Sequence, residues 1–271
     1  MGTGAVVIIA CRSVSIGREA LEDIKNISGS PYISCEELNL ASFASVRAFV
    51  DGLTSKGINN IYALINNAGV FYCPYSVTED GFEITFQTNY LGPFLLTNLL
   101  LKAGLLGKGS RVVNVSSESH RFVNDYNVIS QRVIVAGDVS PELDQFIRYG
   151  QTKFCLNLFT LQLAELNKNT IYAFSVNPGN VETGVLRHFL ASDRAKWWPL
   201  LSILRPLLVK TPHQGAQTVV HVTLFAEHQA QRLSGAYLSD CKPHEPSKLS
   251  QSNLLAEELW YISLKWSGLD S

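Results

Sequence analysis

The sequence predicts an α/β fold, a doubly wound, mostly parallel sheet with helices on both faces. Three observations carry that expectation. Short apolar runs alternate with helix-like stretches from end to end, the pattern of βαβ units, and no linker or repeat interrupts it. Two runs, Ile61-Tyr62-Ala63-Leu64-Ile65 and Arg111-Val112-Val113-Asn114-Val115, are apolar along almost their whole length, as strands covered on both faces should be. The chain has 271 residues, 46% of them hydrophobic, which suits a single domain over 1–271 and argues against two full ones.

The elements follow in order. Met1-Gly2-Thr3-Gly4 leads directly into the β-branched run Ala5 to Cys11, which reads as a buried strand and not as a signal peptide, because no basic stretch precedes it. A second strand is expected at Tyr32 to Asn39. Ser42 suits the cap of a helix whose Phe43, Val46, Phe49, Val50 and Leu53 recur at helical spacing. Strands follow at Ile61 to Asn66, Arg111 to Ser116, Ile171 to Asn177 and Gly235 to Leu238. Helices are expected at Glu79 to Leu105, Gln145 to Leu166 and His213 to Glu227. The apolar stretch Trp197 to Val209 contains Pro199, Arg205 and Pro206 and is shorter than the roughly 20 residues that cross a bilayer. It reads as a lid over a substrate cleft, with peripheral membrane contact as the second reading.

Charge and cysteine content exclude other classes. The 22 basic and 23 acidic residues nearly balance and no stretch is strongly basic, so nothing draws the chain to a nucleic-acid backbone. Cys11, Cys35, Cys73, Cys155 and Cys241 show no CxxC or metal-ligand spacing, which favours a reduced intracellular compartment, the cytoplasm or the cytosolic face of a membrane. His120, His188, His213, His221, His228 and His244 lack metal spacing too and read as surface or packing residues, so no metal is expected.

In open α/β sheets ligands bind beyond the carboxyl ends of the strands, so the polar residues at those ends are informative. Asn66-Asn67-Ala68-Gly69 follows one strand, Ser116-Ser117 another and Asn177-Pro178-Gly179 a third. Tyr149 and Lys153 are four apart in a helical stretch, which places both on one face about 6 Å apart. A phenol titrates near pH 10, and a nearby ammonium favours its phenolate, moving it toward the range of a working acid or base. Alone, such a pair is more often only an aromatic ring beside a solvated lysine.

The ordered set changes that weighting. Asn66-Asn67-Ala68-Gly69, Asn89 in Thr88-Asn89-Tyr90-Leu91-Gly92, Ser117, Tyr149 with Lys153, and Asn177-Pro178-Gly179 together resemble the short-chain dehydrogenase/reductase family, over about Val6 to Ser239. The likeness is greatest to its retinol dehydrogenase-like branch, in Cys73-Pro74-Tyr75-Ser76, Asp80-Gly81-Phe82-Glu83, Phe94-Leu95-Leu96-Thr97 and Lys210-Thr211-Pro212-His213-Gln214-Gly215-Ala216-Gln217. The resemblance implies a Rossmann-like fold and hydride transfer between a nicotinamide dinucleotide and an apolar alcohol or carbonyl, retinoid- or lipid-like. It implies Tyr149 as acid/base, Lys153 tuning it and binding the nicotinamide ribose, Ser117 hydrogen-bonding the substrate oxygen, and Asn89 holding a water of the proton relay. Ser116 is the neighbouring candidate for the serine role, and Asn89 equally suits a purely structural pin. The 32 positions between Ser117 and Tyr149 match that branch and imply a surface flap.

For the cofactor, the resemblance implies contacts from Arg12, Asn39, Asn67, Ala68, Gly69, Tyr149, Lys153, Pro178, Gly179, Val181 and Thr183. Arg12 after the second family strand suits a ribose 2′-phosphate, favouring NADP, with NAD as the second choice. Asn39 stands where the family usually has Asp near the adenine. One family unit is not found in the sequence: a strand, a Thr-Gly-x-x-x-Gly-x-Gly turn and a helix cradling the pyrophosphate. Gly2-Thr3-Gly4 precedes a strand where that turn must follow one. The chain is therefore expected to begin at the family's second strand, opening a gap in the sheet centre with weak or absent dinucleotide binding. The competing expectation from another class is a catalytically impaired member acting as a binding or regulatory protein. Substrate identity, reaction direction and oligomeric state are not legible.

Overall fold

The computed structural model describes residues 5–123, 145–181 and 209–269. Seven strands are present among them: β1 (Val7–Cys11), β2 (Ile33–Glu37), β3 (Ala63–Asn66), β4 (Ser110–Val115), β5 (Ile171–Asn177), β6 (Tyr237–Ser239) and β7 (Lys242–His244). β1 and β2 pair in parallel as one sheet; the others form a second sheet in the order β3-β4-β5-β6-β7, parallel except for β7. The short β6–β7 connection turns through Asp240 and Cys241, both at positive φ, as a tight hairpin requires.

Alternation along the strands explains the layers. On β4, Val112 packs into one apolar cluster and Val113 into another; on β5, Ile171 and Ala173 join the first while Tyr172, Phe174 and Val176 join the second. Successive side chains point to opposite faces, so each face acquires its own core. Helices α1 (Val14–Ser28), α2 (Phe43–Ser55), α3 (Ile84–Phe86), α4 (Gly92–Lys102), α5 (Gln145–Leu166), α6 (Pro212–Thr223), α7 (Glu227–Leu233) and α8 (Asn253–Trp266) complete the described fold. The larger core lies under α2, α4, α5 and α8, and the smaller one under α6 and α7. Between β3 and β4 a polar rung is buried: Asn66 Nδ2 donates to Asn114 Oδ1 at 2.8 Å, and Asn114 Nδ2 to Thr160 Oγ1 of α5 at 2.9 Å.

Local chemistry sets the boundaries. Ser42 caps α2 by accepting from the Ser45 amide, as the sequence predicts. Glu79 to Leu105 is corrected: Gly81 turns at φ 87°, Glu83 caps α3 by accepting from the Phe86 amide, and a π turn at Gln87–Leu91 separates α3 from α4. His213 to Glu227 is corrected as well. A Thr211/Gln214 capping box starts α6, which ends at Thr223; Phe225 then turns into the core, and its carbonyl is held by Arg111 Nη2 at 3.0 Å.

The expectation that Ile61 to Ile65 is covered on both faces also needs correction, since Ile65 is 43% exposed and Val7 of β1 is 47% exposed. Among the described residues no strand lies between β1 and β3, which leaves apolar side chains on both bare edges open. Gly2-Thr3-Gly4, Thr183, His188, most of the flap and the Trp197 to Val209 lid save its last residue lie outside the described residues.

Candidate active site

Asn89, Ser117, Tyr149 and Lys153 come together beyond the carboxyl ends of β3 and β4. The π turn carries Asn89 toward the strand end, where its Oδ1 accepts from the Val70 amide at 2.7 Å and its Nδ2 donates to the Val70 carbonyl at 2.9 Å and to Thr152 Oγ1 at 3.2 Å. Both amide protons are thereby engaged, leaving the second lone pair of Oδ1 for a water. Gly69 closes the same corner: a Cβ there would sit 3.2 Å from Asn89 Oδ1 and 3.8 Å from Lys153 Nζ.

Ser117 begins the 3₁₀ turn Glu118–Phe122, its Oγ accepting from the Ser119 amide and donating to Ser119 Oγ, each at 3.2 Å, with the Tyr149 phenol near enough to feel it. Ser116 is buried and donates to the Lys153 carbonyl at 3.2 Å, so of the two serines it is Ser117 that reaches the phenol. Although part of Tyr149 stays exposed, its ring packs edge-on to Phe71 at 4.9 Å. Burial pushes the phenol up to about 12, with the Ser117 hydrogen bond acting the other way. Lys153 is buried; its Nζ donates to the Val115 carbonyl at 2.6 Å and lies 5.3 Å from the Tyr149 ring centre. Burial brings its ammonium down to about 8. Helical spacing does bring the pair together, but desolvation governs both groups and favours the neutral form of each.

Two supports escaped sequence reasoning. His120 is fully buried with both nitrogens engaged: Nε2 accepts from the Ser247 amide at 3.0 Å, so Nδ1 carries the proton toward the Ser117 carbonyl at 2.6 Å. It packs 5.0 Å from the Tyr237 ring, and burial lowers its pKa. Arg148, beside Tyr149, forms a buried pair with Glu83 at 3.5 Å, joining α5 to the cap of α3. Nearness to Ser117 and Tyr149 was the only signal for either residue. Thr152 and the Val115 carbonyl gave none, since a backbone oxygen leaves no trace in a residue pattern.

The cofactor candidates fall into two groups. Asn67 and Ala68 are exposed at the end of β3, while Pro178, Gly179 and Val181 are partly exposed beyond β5, with Val181 bridging to Lys210. Arg12 is exposed after β1, and Asn39 Oδ1 accepts from the Ala41 amide at 3.1 Å, which leaves one lone pair for an adenine. The nicotinamide end fits a dinucleotide, with Lys153 Nζ and Asn89 Oδ1 meeting beside Gly69, where only a residue without a side chain leaves room; no Thr-Gly-x-x-x-Gly-x-Gly turn for a pyrophosphate occurs among the described residues. A cavity of about 520 Å³ lined by Glu36, Glu37, Ser45 and Phe49 shares no residue with this cluster. Among the described residues no group of metal ligands occurs, and no helix is long and apolar enough to cross a membrane.

Known proteins resemble the chain in sequence and in fold. The family model for short chain dehydrogenase matches residues 1–127. Retinol dehydrogenase 11 of Homo sapiens is 36% identical over 269 residues, covering 98% of this chain and 79% of the relative. Retinol dehydrogenase 14 of Homo sapiens is 36% identical over 284 residues, covering 98% and 80%. Among solved structures, an uncharacterized protein from Mycobacterium Paratuberculosis superposes with a TM-score of 0.68 at 26% identity, covering 97% of this chain and 84% of its own. An NADPH-bound carbonyl reductase from chicken fatty liver, at 18% identity and a TM-score of 0.58 over 89% and 87% of the two chains, is alike in fold alone.

Proposed function

This chain belongs to the short-chain dehydrogenase/reductase family, NAD(P)-dependent oxidoreductases of alcohols and carbonyls, and on that premise we propose that it moves a hydride between NADP(H) and an apolar, retinoid- or lipid-like substrate. The observation that carries this reading is the convergence of Tyr149, Ser117, Lys153 and Asn89 on one corner. Apolar specificity is supported by the names of the relatives and by the aromatic wall beside the phenol, where Phe71 and Tyr72 both pack against Phe146, at 5.1 and 5.3 Å.

When bound, the nicotinamide supplies or accepts the hydride. This chain's residues do the rest. Tyr149 gives its proton to the carbonyl oxygen in reduction and takes it back in oxidation; with the phenol pushed up to about 12, the protonated, reducing form dominates at neutral pH. Ser117 donates to the same oxygen, stabilising charge as it develops. Lys153 binds the nicotinamide ribose and Asn89 holds a water of the proton relay beside it, while Arg12 takes the 2′-phosphate and Asn39, Asn67, Ala68, Pro178, Gly179 and Val181 line the remainder. Val115 and Thr152 hold Lys153 and Asn89 in place.

NADPH-dependent reduction of a retinoid aldehyde tests this. The chain is expected to turn it over, with Tyr149→Phe lowering kcat by about 10²–10⁴. Equal rates for the two proteins would refute the role of the phenol. The second reading, an impaired member that binds apolar ligands without turning them over, is favoured by the separation of β1 and β3 into different sheets. Retinoid binding by fluorescence with no NADPH oxidation would select it.

A further inference from the structure

Cys11 ends β1 and Cys35 sits at the centre of β2, 24 positions away. In the parallel register Cys35 lies opposite Ile9 and Cys11 opposite Glu37, so the cysteines are diagonal neighbours on one face of the sheet. Their sulfurs are 3.6 Å apart, and both are free thiols that keep partial solvent contact. Gly17, in the first turn of α1, lies directly over them: a Cβ there would stand 2.4 Å from each sulfur. The helix can therefore cover the pair only with a residue that has no side chain.

We infer that Cys11 and Cys35 form a dithiol site that a small-molecule disulfide, such as oxidised glutathione, converts reversibly into an intramolecular disulfide. The sulfurs need to close from 3.6 Å to about 2 Å, and because a diagonal pair on neighbouring parallel strands sets its Cα atoms roughly 8 Å apart, the end of β1 moves toward β2 as the bond forms. One cysteine thiolate attacks a sulfur of oxidised glutathione, breaking its S–S bond and releasing one glutathione thiolate. The second cysteine thiolate attacks the protein sulfur of that mixed disulfide, forming the Cys11–Cys35 bond and releasing the other glutathione thiolate. Two electrons pass from the cysteine pair to glutathione, and the two thiol protons end on the released glutathiones. The product ties together the two strands of a sheet that has no third strand among the described residues. Nothing in this inference depends on hydride transfer, so it stands or falls separately from the proposed activity.

The folded wild-type chain, equilibrated in glutathione buffers and quenched with N-ethylmaleimide, provides the test. Peptide mass spectrometry should find the Cys11 and Cys35 peptides joined, two hydrogens lighter than the reduced pair. Opening the bond should take about 10-fold or more reduced glutathione in native buffer than in denaturant, because folding holds the thiols together. Cys11→Ser should abolish the linked peptide and Cys73→Ser should leave it intact. The inference is overturned if both cysteines are recovered alkylated or singly glutathionylated after oxidation, if another cysteine takes either place, or if the native and denatured chains open at the same glutathione concentration. The decisive readout uses the wild-type chain and does not rest on a variant's folding.

Discussion

Tyr149 and Lys153 show how burial governs a pair that helical spacing alone describes as a charged couple. Lys153 ordinarily titrates at 10.5 and falls to about 8 here. Below pH 8 it is charged in both folded and unfolded chains, and folding bears the whole cost of burying the charge. Between pH 8 and 10.5 the unfolded chain keeps a proton that the folded chain has released, so stability rises with pH by up to about 3 kcal/mol. Tyr149 acts in the opposite sense, its protonated form favoured by folding, so that its contribution is lost from pH 10 to about 12. Urea unfolding at pH 7.5, 9 and 10 should thus show the wild type gaining stability and Lys153→Met staying flat; a flat wild type would mean that the ammonium is solvated. Ser117→Ala removes the group that hydrogen-bonds both the phenol and, in the proposed reaction, the substrate oxygen, and should lower kcat about 10²-fold or more with NADPH affinity unchanged. At this scale the four residues proposed for the site could be named from the sequence because their types and order are distinctive. The direction of the pKa shifts was not, because it depends on which groups surround the pair in space.

The elements that carry those residues are tied to one another by contacts of long sequence separation. The buried Glu83–Arg148 pair links the helix system that bears Asn89 to the helix that bears Tyr149. Arg148→Met strands a buried carboxylate and should destabilise the chain by about 3–5 kcal/mol, whereas the double variant Glu83→Gln/Arg148→Met should cost less than the single one. Denaturant midpoints at equal slope decide this, and similar losses in both would show that the ion pair carries no special weight. Gly150 is where α5 meets the serine loop: a Cβ there would lie 2.5 Å from the Ser119 carbonyl, a backbone atom that cannot simply rotate away. Gly150→Ala should therefore part Ser117 from Tyr149 and lower kcat while NADPH binding is kept. Ile171 to Asn177 was legible to the residue because apolar character and a polar stop coincide there. Glu79 to Leu105 was not, since the Gly81 turn and the π turn both interrupt a stretch whose apolar spacing stays helical.

Over the whole molecule, stability should be uneven. Among the described residues the β1–β2 sheet has two strands and open apolar edges, whereas β4 is flanked on both sides and buried throughout. Amides of β1 and β2 should exchange with solvent well before those of β4 and β5, and equal protection in native-state hydrogen exchange would contradict this. By itself the sequence determined the α/β class, six of the seven described strands and which four residues to propose for the site, because hydrophobic period and residue chemistry are properties of the chain read in order; β7, a short exposed strand paired by the Asp240–Cys241 hairpin, left no such signal. Tertiary structure alone decided that Cys11 meets Cys35, that His120 backs Ser117 and that a main-chain carbonyl holds Lys153. Each of these depends on distance across the fold and on exclusion of water, quantities that spacing along the chain does not encode.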